Sequence, residues 1–330
     1  MLADIIGQDV IADKLRSAWK QQRLAQAYIL SGPDGIGKTP FALELAKTFL
    51  CREHGDDACG RCPSCRKVAH GNHEDIEVLE PAGAGRVIKR DSVHDLIEAL
   101  RFKARSGEHR FVIIREADRM REEASNHFLK VLEEPPTDVT FFLLTARLPF
   151  LLETIVSRCQ VVRMHRAAPG RIERFLVDRG CEPEQARLYA SLCDGCPGRA
   201  IDMQEGGLFE RREQILKRLL VVDRENAAVV AAEMLAANKG KTLAATRANH
   251  YADLGLMATL LRDATVLAEG AGGSMLYHPD VADRLRPRAD ASSPERLREQ
   301  TLCALETREN IERMINPDLL ISRLFAELST

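Results

Sequence analysis

The chain has 330 residues, 45% apolar and 29% charged, with a formal net charge of -2, which predicts two or three well-solvated domains with ordinary cores. Near-neutral charge excludes a nucleic-acid grip spread over the whole surface and confines any such contact to a local patch. Aromatic residues at 5% argue against stacking platforms for single strands.

No run of about 18 apolar residues is present, so no membrane helix is expected. Asp4, Asp9, Asp13 and Lys14 break any signal-peptide core. The expected compartment is the cytoplasm, where nine cysteines serve as thiols or metal ligands rather than disulfides.

Residues 8–24 carry Val10, Ile11, Leu15 and Trp19 at helical spacing. A strand at 27–30 runs into a glycine loop at 32–37. A helix at 39–50 follows, with Pro40 in its first turn, where a missing N–H costs little. Residues 76–79 read as a strand. Ser92 opens a capping-box pattern with Asp95, placing Val93, Leu96, Ile97 and Leu100 on one helical face. The apolar run 111–114 suits a buried parallel strand. A helix at 122–132 stops at Pro135-Pro136, and strands are expected at 141–144 and 159–162. Strands alternating with helices imply an α/β sheet covered on both faces.

Beyond residue 166 the reading is all-α, with helices at 171–178, 183–193, 209–222, 227–237, 250–267 and 294–313. Residues 285–293 read as a loop. The expected partition is a nucleotide-binding domain at 1–166, a small helical domain at 167–206 and a larger helical domain at 207–330.

Gly32-Pro-Asp-Gly35-Ile-Gly37-Lys38-Thr39 matches the phosphate-loop pattern. Glycines let backbone N–H groups turn inward around a phosphate, Lys38 reaches the β and γ oxygens, and the Thr39 hydroxyl suits Mg²⁺; the helix N-terminus adds positive potential. ATP with Mg²⁺ is the implied ligand. Hydrolysis asks for a second strand ending in two acids, one on the metal and one orienting water. The candidate is Phe111-Val-Ile-Ile-Arg115-Glu116-Ala117-Asp118. Arg115 stands at the metal position and Glu116 at the water position. A cation about 4 Å from a divalent metal is repelled by roughly 8 kcal/mol at an effective dielectric near 20, so Arg115 should swing away and hydrolysis should be weak or absent. Asp118, three residues on, should already be turning off the strand.

Cys51, Cys59, Cys62 and Cys65 supply four thiolates in a short stretch, the donor set of a tetrahedral structural Zn²⁺. His54 and His70 are bystanders to a filled shell. Cys159, Cys181, Cys193, Cys196 and Cys303 read as small buried residues.

The order of these features resembles bacterial clamp-loader subunits, AAA+ proteins of the DNA polymerase III holoenzyme. The residues that carry the resemblance are Ile6-Gly7-Gln8, Leu24-Ala-Gln-Ala-Tyr28-Ile-Leu-Ser-Gly-Pro33, the phosphate loop, the cysteine insert, Glu133-Glu134-Pro135-Pro136 and Ser157-Arg158-Cys159. It is dense over residues 1–205 and looser after, where Asn316-Pro-Asp-Leu-Leu-Ile-Ser-Arg-Leu-Phe325 resembles the family's last helix. Two subunit types share these features, the gamma/tau motor and delta-prime; Arg115 and the length point to delta-prime.

The resemblance implies an AAA+ parallel-sheet domain with a zinc insert, a helical lid and a C-terminal collar. It implies a heteropentameric ring with gamma/tau and delta that loads the sliding clamp on primed DNA. By the same resemblance Arg158 is an arginine finger acting in trans, Thr145 stands at the sensor-1 position and Arg199 at sensor 2. Two alternatives stay open: an ATP-hydrolysing gamma/tau motor, and a zinc-dependent nucleic-acid-binding module.

Overall fold

Uninterrupted apolar runs, which can be satisfied only by burial on both faces, build the centre of the first half. Among the described residues five strands form one parallel sheet: β1 (Ala27–Ser31), β2 (Ile76–Leu79), β3 (Arg110–Ile114), β4 (Val139–Thr145) and β5 (Gln160–Arg163), in the order β2-β3-β4-β1-β5. The structure is a computed structural model that describes residues 5–329 apart from 54, 84, 101–108, 272 and 313–315. It divides into two compact units, residues 1–202 and 203–330.

Side chains alternate across the sheet. On one face Tyr28, Leu30, Phe111, Ile113, Phe142 and Leu144 pack with α1 (Asp9–Lys20) and α2 (Lys38–Phe49). A short α3 (Pro63–Ala69) closes the cysteine insert. On the other face Ile29, Val112, Ile114, Phe141 and Leu143 meet α4 (Arg90–Leu100), α5 (Glu122–Glu133) and α6 (Glu153–Val156). Ser31 is in register with Thr145 and Arg163, so the carboxyl ends of β1, β4 and β5 open on one rim. That rim is where α/β sheets place their ligand sites.

Three helices complete this unit: α7 (Pro169–Val177), α8 (Pro183–Leu192) and α9 (Pro197–Glu205), the last crossing the division between units. The Ile6-Gly7-Gln8 segment ties the chain start to the connection leading into α7. Gln8 Nε2 donates to the His165 carbonyl at 2.6 Å, and His165 N–H donates to Gln8 Oε1 at 3.1 Å. Gly7 has φ +81° and lies against Ala167, a place where an L side chain would be strained.

The second unit is helical: α10 (Leu208–Val221), α11 (Ala227–Ala237), α12 (Leu243–Ala268), α13 (Ala282–Ala291), α14 (Pro294–Glu312) and α15 (Pro317–Leu328). Three readings of the sequence are corrected. Residues 285–293 are mostly helix, because Leu285 and Ala289 stack four apart into the core although Pro287 sits inside α13. Helix α12 begins well before residue 250, capped by Thr242, whose hydroxyl accepts the Ala245 N–H at 3.1 Å. Ser92 lies inside α4 rather than at its cap, because the bridge between Ile88 and Met120 sets where that helix starts. Residue 313, the expected end of the helix from 294, lies outside the described residues.

A buried polar group in this unit yields a pH prediction. His278 and Asp263 have no exposed surface. Asp263 accepts the backbone N–H groups of Tyr277 and His278 at 3.1 and 2.7 Å, and His278 Nε2 meets Thr259 Oγ1 at 2.9 Å. Burial, reinforced by the charge of Arg212, pushes the His278 ring from 6.5 to about 3. The folded state holds this ring neutral while the unfolded chain protonates it below 6.5. Stability is therefore full above pH 6.5 and falls by about 1.4 kcal/mol per pH unit below it, until the folded value is reached. Denaturant midpoints between pH 7.5 and 4.5 should show this loss, and His278→Gln should make it shallower, the rest being kept by His73, His109 and His250, whose rings burial also pushes down.

Candidate nucleotide and metal sites

The phosphate loop joins β1 to α2 at the sheet rim. Gly32 N–H donates to the Thr145 carbonyl at 3.1 Å, which fixes the loop's start to the end of β4. Gly35 and Gly37 take φ of +79° and +98°, and Gly37 stands as the N-cap of α2, with Lys38 and Thr39 in the first turn.

Lys38 Nζ is turned onto its own loop. It donates to the carbonyls of Gly32 at 2.7 Å and Pro33 at 3.0 Å and lies 3.6 Å from Asp34. Burial pushes the ammonium's pKa down, opposed chiefly by Asp34 and then Asp118.

The start of α9 is seated on the same loop. Gly198 N–H donates to the Gly35 carbonyl at 2.8 Å, and Arg199 Nε donates to the Asp34 carbonyl at 3.1 Å. The approach is tight enough that only glycine fits on either side. A Cβ on Gly35 would lie 2.9 Å from Arg199 N, and one on Gly198 2.9 Å from Gly35 O. Arg199 thus holds the loop's backbone.

Beside Lys38 is a cavity of about 240 Å³ lined by Asp34, Lys38, Glu116, Asp118, Arg119 and Arg147, among others. Arg115 does not face it. Arg115 swings to Glu80 beyond the end of β2, at 2.7 Å, with 44% of its side chain exposed. Glu116 has φ +47° and is paired with Arg86 and Arg119. Its strained backbone starts a 3-10 turn, Ala117–Arg119, that carries Asp118 back under the loop.

Asp118 does leave the strand, but it is the more buried acid of the cavity, with its side chain only 4% exposed. It accepts the Thr145 hydroxyl at 2.7 Å and Arg147 Nε at 3.1 Å. Arg147 was invisible in the sequence as a site residue; its position two residues beyond Thr145 is the only local sign. Of the three cavity acids, Glu116 and Asp118 are therefore held by arginines or a hydroxyl, while Asp34 is exposed beside Lys38. Mg²⁺ takes most of its oxygens from water and nucleotide phosphates; of the protein's own donors here, Glu116 and Asp118 are engaged, so Thr39 and Asp34 are the residues that would hold it, and only weakly.

Arg158 lies away from this cavity. Its guanidinium meets Glu133 at 2.9 Å and the Thr154 carbonyl at 3.1 Å, with 38% of the side chain exposed.

The four cysteine sulfurs of the insert lie within 4.8 Å of one another, and the Cys59 and Cys65 sulfurs are 3.9 Å apart. A tetrahedral metal with 2.3 Å bonds to sulfur requires edges of ~3.8 Å, so the set fits one ion. Backbone N–H groups of Cys59, Cys62 and Cys65 point at the sulfurs of Cys51, Cys59 and Cys62 at 3.3–3.4 Å. Burial opposes ionisation at Cys62, but the donated N–H groups bring its thiol down to about 6; burial holds Cys65 up at about 12. His70 bonds the Arg66 carbonyl and is no part of the set, while His54 lies outside the described residues. Of the other cysteines, Cys181, Cys193 and Cys196 are buried and Cys159 and Cys303 half-buried.

A second cavity, about 970 Å³, lies beside the insert and is lined by Trp19, Phe49, Ser64, His73 and His109, among others. Its Ser64–His73 contact of 3.0 Å is not a catalytic dyad. His73 Nδ1 accepts the Asp75 N–H, so Nε2 carries the proton and donates to Ser64.

Residues 7–168 match the family model described as DNA polymerase III, delta subunit, and residues 207–330 match the one described as DNA polymerase III, delta subunit, C terminal. The chain is 30% identical over 327 residues to the DNA polymerase III subunit delta' of Escherichia coli (strain K12), spanning 96% of this chain and 92% of that one. It is 29% identical over 316 residues to the subunit delta' of Bacillus subtilis (strain 168), spanning 94% and 92%. A DNA polymerase III, gamma subunit-related protein from Thermotoga maritima shares the fold, with a TM-score of 0.52 at 16% identity over 96% of this chain and 98% of that one.

Proposed function

Because this chain belongs to the family of DNA polymerase III delta-prime subunits, we propose that it is a ring subunit of a clamp loader that helps place the sliding clamp on primed DNA. Its partners in this reading are gamma/tau and delta subunits in a heteropentamer, in the cytoplasm. Residues 1–166, 167–206 and 207–330 act as sheet domain, lid and collar, and the collar holds the ring. Arg158 is the finger that this subunit lends to a neighbour's ATP. The four cysteines hold one structural Zn²⁺, the metal that a closed shell of thiolates suits best.

The observation that carries the reading is the end of β3. Arg115 stands where a metal-binding carboxylate is required and is drawn off to Glu80, while Asp118 is engaged by Thr145 and Arg147. The chain's own phosphate loop, made by Gly32, Gly35, Gly37, Lys38 and Thr39, is a binding or vestigial site in this reading. Glu116 would orient water, and Thr145 and Arg199 would sense phosphate, only after leaving the partners they have now.

Steady-state ATP hydrolysis by the isolated chain tests this. Turnover should sit at background, and Lys38→Ala should change it less than twofold, because hydrolysis here lacks the electrostatic clamp on the transferred phosphoryl group. Robust turnover that Lys38→Ala abolishes would make the chain a motor subunit instead.

A further inference from the structure

Helix α5 ends on Glu133, followed by Glu134 and Pro135-Pro136. Carboxylates at a helix C-terminus meet the negative end of its dipole, so helix stability does not call for them there. Glu133 has a partner: Arg158 donates one guanidinium N–H to Glu133 Oε1 at 2.9 Å and another to the Thr154 carbonyl at 3.1 Å. The backbone beneath is fixed as well. Arg158 N–H bonds the Ile155 carbonyl at 3.1 Å, and the Ser157 hydroxyl bonds the Thr154 carbonyl at 3.0 Å.

A guanidinium carries five N–H donors in a rigid planar fork. These contacts use one N–H of each terminal nitrogen, two of the five donors, and leave the side chain 38% exposed. A free arginine at such a place would sample many rotamers and lose that freedom each time it was used. We infer that Glu133 is a positioning residue for Arg158: it holds the guanidinium against α6 with the remaining donors outward, toward the phosphates of a nucleotide on an adjoining subunit. The inference rests on the finger role proposed above for Arg158. A single charge-assisted bond at a half-exposed site is weak, so phosphate oxygens can share or replace it as the subunits close.

The test uses the reconstituted loader carrying Glu133→Ala, Glu133→Gln, Arg158→Ala or the Glu133→Ala/Arg158→Ala pair. Glu133→Ala should lower kcat for ATP about threefold, within the roughly fivefold that an exposed pair can bias, with KM changed less than twofold. Its melting temperature should be equal or higher, since an unfavourable helix-end charge is gone; a purely structural residue would not give that combination. Glu133→Gln keeps an acceptor oxygen at the same reach and should recover most of the loss. The double variant should match Arg158→Ala alone, the non-additivity expected of two residues acting as one unit. Unchanged or faster turnover in Glu133→Ala, or losses that add in the double variant, would overturn the inference and leave the finger assignment standing. Unchanged turnover in Arg158→Ala would remove the finger role itself, and with it anything for Glu133 to position.

Discussion

Arg158→Ala should leave this chain folded and joined to its partners, yet cost the adjoining ATP site about 10³-fold or more in rate, the range that an arginine finger supplies. The two halves of that expectation have separate grounds. The side chain makes two hydrogen bonds at the surface, to Glu133 and Thr154, and exposed pairs of this kind contribute about 0–1 kcal/mol, so folding should be indifferent. The catalytic half follows from the finger role proposed above, in which the half-exposed fork of donors would meet charge developing on a neighbour's transferred phosphoryl group. Steady-state ATPase of the reconstituted loader with clamp and primed DNA, run beside co-elution of the subunits, reads both. Arg158→Lys keeps the charge but loses the planar fork, so it should recover little. Full turnover in Arg158→Ala would remove the assignment. The contrast with Lys38→Ala, expected to be silent on this chain, separates a residue that serves a neighbour from one that serves its own site.

The phosphate loop and the cysteine set were legible in the sequence because each is a local device. Glycines at fixed offsets between a strand and a helix are demanded by backbone angles such as +98° at Gly37, and short Cys-x2-Cys turns bring sulfurs together without help from the rest of the fold. The sheet was legible because residues 111–114 and 141–144 are apolar without interruption. What stayed hidden depends on residues far apart. Gly198 and Gly35 lie far apart in the sequence and are brought together by the tertiary fold. Asp118 returns to Lys38 because Glu116 adopts a left-handed backbone, which no composition rule foretells for glutamate. Pro287 made α13 read as a loop, since the burial of Leu285 and Ala289 that outweighs it is supplied by other helices. Glu133 opens the Glu133-Glu134-Pro135-Pro136 segment, but its use appears only when Arg158, 25 positions on, is found beside it.

Removal of the metal should have the largest effect on stability, and its reach can be argued from what the insert lacks. Its buried cluster is Cys51, Ala58, Cys62 and Cys65 with Cys59 against it; almost nothing apolar is there besides the sulfurs. A segment with so little to bury cannot offset the entropy of ordering its backbone, so in the proposed reading a bound ion would act as its core. Structural zinc sites in isolated peptides are worth about 10–16 kcal/mol at neutral pH, far more than these side chains could supply otherwise. One zinc per chain is therefore expected on metal analysis, released by a strong chelator. Release should unfold the insert while leaving the helical second unit intact. The single tryptophan of the chain reports it: Trp19 stacks on Phe49 at 4.7 Å, and Phe49 closes α2 two residues before Cys51, so emission from Trp19 should shift as the metal leaves. Cys65→Ser, at a site with no exposed surface, should reproduce the shift without chelator. A chain that carries no metal when purified, or a Cys65→Ser variant that melts at the wild-type temperature, would mean that the insert holds without a metal, against the burial just described.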